Sequence, residues 1–352
     1  MEQRKLRLAC YDRMRVLAIV AIAIGSISDI LVTRGAAAGQ ALKLIWHVAN
    51  LLSSLVKPAV PLLLMAEGAL LLDKPESASL KEVWRHRVLP MLSTLAVWSV
   101  IFLVVRYLWQ GLVGENVVPL DALLSVVSTP ISSHLWLLYL LLAIYLLLPF
   151  LRLLVEHAPR NLLRFALGLW LFYSVLIPAL SSRSVLPALS LAPYASANPL
   201  GGYLGYVLLG WMLATTEWRT KPLYMVITYG ALGVLTAIVT ALLTKSSGAA
   251  NMAMYQGFMP NVALMAAAAF MACREFNRET VFTPWIGPMA QFSFGMYILH
   301  GLFALLLQPL VFVIPGIISI LFAPIVVWLL SLVTVAFMRR SVFARRVFFG
   351  DY

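Results

Sequence analysis

Charge is what this chain has least of. Only 11% of its 352 residues are Asp, Glu, Lys or Arg, where a soluble globular domain carries about 25%. Carboxylates are the scarcer sign, with 14 Asp and Glu against 26 Lys and Arg. Cysteine is nearly absent. Cys10 and Cys273 give no disulfide framework and no metal-ligand spacing, so free thiols and no bound metal are expected. Short strands of alternating polarity are also lacking, which argues against an outer-membrane barrel. Neither an internal repeat nor a pair of inverted halves is visible, which argues against a repeat-built transporter.

Hydrophobic residues fill the space that charge leaves. They make up 62% of the chain, and mean hydropathy is +0.92. Long continuous runs such as Leu135 to Leu151 suit membrane helices, each needing roughly 20 apolar residues. The net charge of +12 points to no nucleic acid partner, because excess Lys and Arg in a membrane protein collect in cytoplasmic loops. The basic start and the apolar run Val16 to Ile24 look like a signal peptide. The small residues Ala36, Ala37 and Ala38 lie too far beyond that run to serve as its cleavage site. The segment reads as a retained first helix.

Ten spans are expected, near 14–33, 44–72, 88–108, 133–153, 162–180, 200–216, 222–243, 256–273, 285–307 and 311–338. Placing the N-terminus in the cytoplasm puts 20 of the 26 Lys and Arg on that side, alternating connection by connection. The fold class is therefore all-α and polytopic, with both termini cytoplasmic and one transmembrane domain over residues 1–352. A short extra helix is expected around Leu120 to Val127. Gly201 and Gly205 have GxxxG spacing, read as close packing.

Ionisable groups at membrane depth are functional candidates. Arg15 lies at the cytoplasmic edge of the first span. Ser26 is about 16 Å deeper at ~1.5 Å per residue, and eleven residues return it to the same face. Asp29, three residues on, shares that face. A snorkelling arginine with two packing polar residues is the plainer alternative. Lys57 precedes Pro58 and Pro61, which should break the second span. A broken membrane helix must be buried in protein or line a cavity, and Lys57 would face that cavity. Glu67 is placed near the inner mouth, where an ion pair with a loop arginine is equally consistent. His134 and Trp136 open the fourth span on the outer side, with Tyr139 beyond them. His300, mid-span, is either a satisfied core group or a proton handler.

At these residues the sequence resembles the acyltransferase family 3 membrane proteins, from about Cys10 to Phe337. Asp12 to Ile19 resembles the family's D-x-x-R-x-x-A opening. Lys57 to Leu72 resembles its segment from a basic residue through V-P-L to G-x-L-L, and Val83 to Trp98 its basic entry to the third span. Ser133 to Pro149 resembles H-L-W-F-L…Y…P, Gly205 to Gly210 the sixth-span pattern, and Ser293 to His300 S-F-x-x-Y-L-x-H.

The resemblance implies transfer of an acyl group, usually acetyl, from cytosolic acyl-CoA to a hydroxyl of a surface or lipid-linked polysaccharide at the bacterial inner membrane. Membrane lipids surround the chain, and acyl-CoA (acetyl-CoA) is its donor substrate. Arg15, helped by Arg85 or Arg87, would bind the acyl-CoA. Lys57 would steady charge on the carbonyl oxygen, and His134, Trp136 and Tyr139 would shape the acceptor side. The family carries an Arg, ten residues, then a His in the first span. Arg15 matches, but Ser26 stands at the His position, and Glu67 stands where Ser usually precedes the glycine. Serine is no base at neutral pH. It would act only as a nucleophile activated by a neighbour such as Asp29. Three alternatives follow. Ser26 disables an otherwise active enzyme; Asp29, His300 or Glu67 takes over; or the chain is a non-catalytic translocator or export partner for a glycan lipid.

Overall fold

The computed structural model describes residues 2–37, 43–73, 79–113, 130–181, 202–276, 283–313 and 316–350. Helices dominate, and no strand occurs among the described residues. In chain order they are α1 (Glu2–Ala37), α2 (Leu44–Val56), α3 (Ala59–Leu71), α4 (Leu80–Val83) and α5 (Leu89–Val113), then α6 (Trp136–His157), α7 (Arg160–Trp170), α8 (Ile177–Ser181) and α9 (Leu204–Thr215). The chain ends with α10 (Pro222–Ser247), α11 (Pro260–Glu275), α12 (Thr283–Val313), α13 (Gly316–Met338) and α14 (Val342–Phe349). One π-helical turn, Trp84–Val88, joins α4 to α5, and another, Leu171–Leu176, joins α7 to α8. The short helix expected near Leu120 and the residue Gly201 lie outside the described residues.

Nine of the described helical segments are long and apolar enough to cross a membrane, and α9 is a shorter apolar helix. The protein is an all-α polytopic membrane protein. The expected sixth span, 200–216, contracts to the 12 residues of α9, about 18 Å at ~1.5 Å per residue. The helix starts only after Gly202, whose φ is 52°. It stops where the Arg274 guanidinium binds the carbonyls of Leu213, Thr216 and Trp218, taking acceptors that a helix end leaves open. The first helix instead runs longer than expected, back to Glu2. Glu, Gln, Arg, Lys and Leu at its start are all good helix formers.

The second span breaks at its prolines. Helix α2 ends at Val56 and α3 begins at Ala59, with Leu62 N–H bonded to Pro58 O at 2.8 Å. Pro58 has no N–H to continue the ladder. Pro61 falls in the first turn of α3, where its missing donor costs nothing.

The residues group into two compact units. The first contains 1–74, 158–293 and 307–328. Within it α3 packs most extensively on α9, α10 on α11, and α1 on both α2 and α3. The α3–α9 approach is backbone on backbone. A Cβ on Gly68 would strike the Val207 main chain, and one on Gly210 would strike that of Met65. Gly205 gives its space to the Trp170 indole, whose Nε1 donates to Gly202 O at 2.6 Å. Small residues at such crossings fit helix association in lipid, where apolar burial provides no drive. The second unit contains 75–157, 294–306 and 329–352. There α14 packs on α5, and Trp98 Nε1 donates to Phe348 O at 2.8 Å.

Candidate functional site

Two ion pairs join α1 to the broken α2–α3 helix in the first unit. Near the N-terminal part of α1, Arg15 Nη2 lies 2.5 Å from Glu67 Oε1, and its Nη1 lies 3.8 Å from Asp12 Oδ1. Fourteen residues further, about 21 Å along the axis, Lys57 Nζ lies 2.6 Å from both carboxylate oxygens of Asp29. The signs are exchanged between the helices. Helix α1 supplies the cation at one end and the anion at the other, and its partner supplies the reverse. Charges at membrane depth are expected to pair in this way.

The Lys57 end is the more elaborate. Ser53 Oγ donates to Asp29. The Tyr255 ring lies under Lys57 Nζ, 4.4 Å from its centroid, a cation–π contact. Tyr255 O–H in turn donates to Asn50 O at 3.1 Å and bonds Asn50 Oδ1, while Asn50 Nδ2 donates to Ala237 O at 2.8 Å. Lys57 thus sits at the break, held by α1, α2 and the 3₁₀ turn Ala253–Tyr255. Sequence reading selected Lys57 and Asp29 but missed Tyr255 and Asn50, which belong to no motif.

Ser26 does not join this group. Its hydroxyl donates to Ala23 O at 2.8 Å, within its own helix. The expectation that Asp29 would activate Ser26 is therefore replaced by a different geometry, since the Asp29 carboxylate is taken by Lys57 and Ser53. Glu67 does form an ion pair, but with Arg15 of the first helix and not with a loop arginine.

At the expected cytoplasmic ends of α1, α9 and α11, Cys10 Sγ donates to Cys273 O at 3.2 Å and Arg13 Nη1 to Phe276 O at 2.8 Å. No disulfide joins the two cysteines. Beside them a cavity of about 420 Å³ is lined by Tyr11, Thr216, Glu217, Arg219 and Glu275 among others.

The second unit brings two histidines together. The His134 and His300 rings are 5.4 Å apart and edge-on. Ser132 Oγ lies 2.9 Å from His134 Nδ1, and Tyr297 O–H donates to His134 O. Gly301 leaves room for the His134 ring, which a Cβ there would strike. His300 is buried, and its Nδ1 bonds Tyr297 O. A carbonyl only accepts, so Nδ1 carries the proton and Nε2 is the basic nitrogen of the neutral ring. Trp136 and Tyr139, at the start of α6, are half-buried. Arg85 and Arg87 belong to this unit and lie in the π-helical turn before α5. Arg85 is exposed, and the Arg87 guanidinium lies 5.8 Å from the Tyr145 ring centroid. Among the described residues no three His, Cys, Asp or Glu side chains come together as a metal site would need.

A family model described as an acyltransferase domain matches residues 8–339, from the first helix to the end of the last spanning one. The chain belongs to the acyltransferase 3 family. Neither the curated proteins nor the solved structures give a match. Within this membrane acyltransferase domain, Arg15, Lys57, Glu67 and Asp29 meet as two ion pairs, and His134 meets His300.

Proposed function

We propose that this acyltransferase domain moves an acyl group, acetyl foremost, from cytosolic acyl-CoA to a hydroxyl of a surface or lipid-linked polysaccharide, as a multi-pass protein of the bacterial inner membrane with both termini in the cytoplasm. The observation that carries the reading is the family match over residues 8–339. The charges that α1 holds at two depths supply groups for both ends of the reaction. Arg15 suits the donor's phosphates, because a guanidinium presents a planar fork of donors to oxyanions. Lys57, at the helix break, suits the carbonyl oxygen, on which negative charge builds as the hydroxyl adds. His134, Trp136 and Tyr139 suit the sugar side, where aromatic faces stack.

Acyl transfer forms a C–O bond, breaks the C–S bond and moves the hydroxyl proton to a base. The thiolate leaves as CoA and takes up a proton. Ser26 is no such base, and its hydroxyl is turned to its own backbone. Among Asp29, Glu67 and His300, the two carboxylates are held in ion pairs. His300 has its Nδ1 tied to Tyr297 O, which leaves Nε2 as the ring nitrogen to take the proton.

A second reading, a translocator or export partner without transfer chemistry, is favoured by the one observation that position 26 bears no base. Transfer from acetyl-CoA to a lipid-linked glycan, in membranes carrying the native sequence or Ser26→His, separates the two. Transfer by the native sequence supports the enzyme. Transfer by Ser26→His alone marks the native chain as disabled. Transfer by neither, with glycan export dependent on the protein, supports the translocator.

A further inference from the structure

Arg15 is the residue expected to meet the acyl donor, yet an anion of the protein already lies against it. Glu67 Oε1 is 2.5 Å from Arg15 Nη2, and both side chains are largely shielded, at 15% and 24% exposure. The guanidinium donates to the carboxylate in a charge-assisted hydrogen bond. Asp12 adds a second carboxylate 3.8 Å from Nη1. One guanidinium facing two carboxylates is a cluster with a net negative charge when all three are ionised. Such a cluster repels a polyphosphate until one carboxylate withdraws.

Glu67 is not free to drift away with its helix. Its neighbour Gly68 is pressed on the Val207 backbone, and Gly210 is pressed on that of Met65, two residues before Glu67. The α3 backbone on both sides of Glu67 is therefore fixed against α9. Release must come from a rotamer change of Glu67 or Arg15. Most of the neighbouring positions on α3 are apolar and buried, among them Leu64, Met65, Ala66 and Ala69. The carboxylate therefore depends on Arg15 for compensation.

We propose that Glu67 is a built-in counter-anion that occupies the anion site of Arg15, and that a phosphate-bearing acyl donor binds at Arg15 by displacing it. The inference rests on the reading of Arg15 as a donor contact. It adds that this chain sets the affinity of its donor site through Glu67. The displacement moves no covalent bond. The guanidinium exchanges a carboxylate for a phosphate oxygen, and Glu67 turns to solvent at the inner mouth.

Acetyl-CoA binding to the full chain in lipid nanodiscs tests this in five forms: native, Glu67→Gln, Glu67→Ser, Arg15→Gln and Arg15→Gln with Glu67→Gln. Glu67→Gln keeps the shape of the side chain and removes its charge. It and Glu67→Ser are expected to bind acetyl-CoA about tenfold more tightly or better, a difference of the size one exchanged charge contact gives. Arg15→Gln is expected to lose binding, and adding Glu67→Gln to it should change nothing further. Unchanged or weaker binding in both monodisperse Glu67 variants overturns the counter-anion. If that result comes with lost binding in Arg15→Gln, the donor role of Arg15 survives alone. If Arg15→Gln binds as the native chain does, or no form binds, both the donor role and the counter-anion fall.

Discussion

Lys57 Nζ sits midway between the two carboxylate oxygens of Asp29, 2.6 Å from each, across a gap of 28 residues that ends at the helix break. The pair couples the conformation of the break to α1. Removing one partner of a buried pair leaves an uncompensated charge and costs about 3–5 kcal/mol. Asp29 keeps 37% of its side-chain exposure, so solvent lowers the cost here to about 1–3 kcal/mol. Asp29→Ala is therefore expected to lower the thermal midpoint of the detergent-solubilised protein. The exchanged pair Asp29→Lys with Lys57→Asp should recover part of the loss. Equal midpoints for the native chain and Asp29→Ala would show that the pair does not hold the helices together.

The crossing of α3 and α9 has no space for a methyl group at Gly68 or Gly210. The obstacles are main-chain atoms, which move only with their helices. Gly68→Ala and Gly210→Ala are each expected to destabilise by at least the ~1–3 kcal/mol of an overpacked core. The measurement is the monodisperse fraction on size-exclusion chromatography. Gly230→Ala, where a Cβ meets nothing within 4 Å, is the control and should behave as the native protein does.

Ser26 is expected to be dispensable in this chain. Its hydroxyl serves a carbonyl of its own helix, and Ala is a better helix former. Ser26→Ala should keep whatever acyl transfer the native protein has to within about twofold, the scale of a neutral surface change. A loss of several orders of magnitude would instead identify Ser26 as a nucleophile.

His300 should behave differently. With Nδ1 tied to Tyr297 O, its Nε2 is the nitrogen that accepts a proton. His300→Gln is expected to lower kcat by roughly 10²–10⁴, the usual contribution of a general base, with a small change in KM for acetyl-CoA. Added imidazole should restore part of the activity in His300→Ala. A purely structural histidine would show neither the kcat-selected loss nor the rescue.

Much of the architecture was legible from local signals. Continuous hydropathy located most of the spans within a few residues, because each helix must satisfy its own backbone in lipid, though it missed the polar start of the first helix. Pro58 announced the break that the chain takes at Lys57. Cys10 and Cys273 read as thiols outside any disulfide, and no disulfide joins them. The length of α9 was not legible, because its end depends on Arg274 reaching back from a distant helix. The partners of Lys57 were hidden for the same reason. Tyr255 and Asn50 are separated by 205 residues, and no periodicity reports how two helices rotate against each other. His134 and His300 were each visible as a motif residue, but their adjacency depends on the bare backbone at Gly301. Arg15 and Glu67 were both marked, yet their pairing follows from the packing that Gly68 and Gly210 permit.

The most direct test of the acyltransferase reading is transfer of label from [acetyl-¹⁴C]acetyl-CoA, supplied on the cytoplasmic side of proteoliposomes holding the purified native chain, to a lipid-linked polysaccharide. Label in the glycan that is lost in Arg15→Gln and Lys57→Ala is the expected result. No label above protein-free liposomes, with export of unmodified glycan still dependent on the protein, would contradict it.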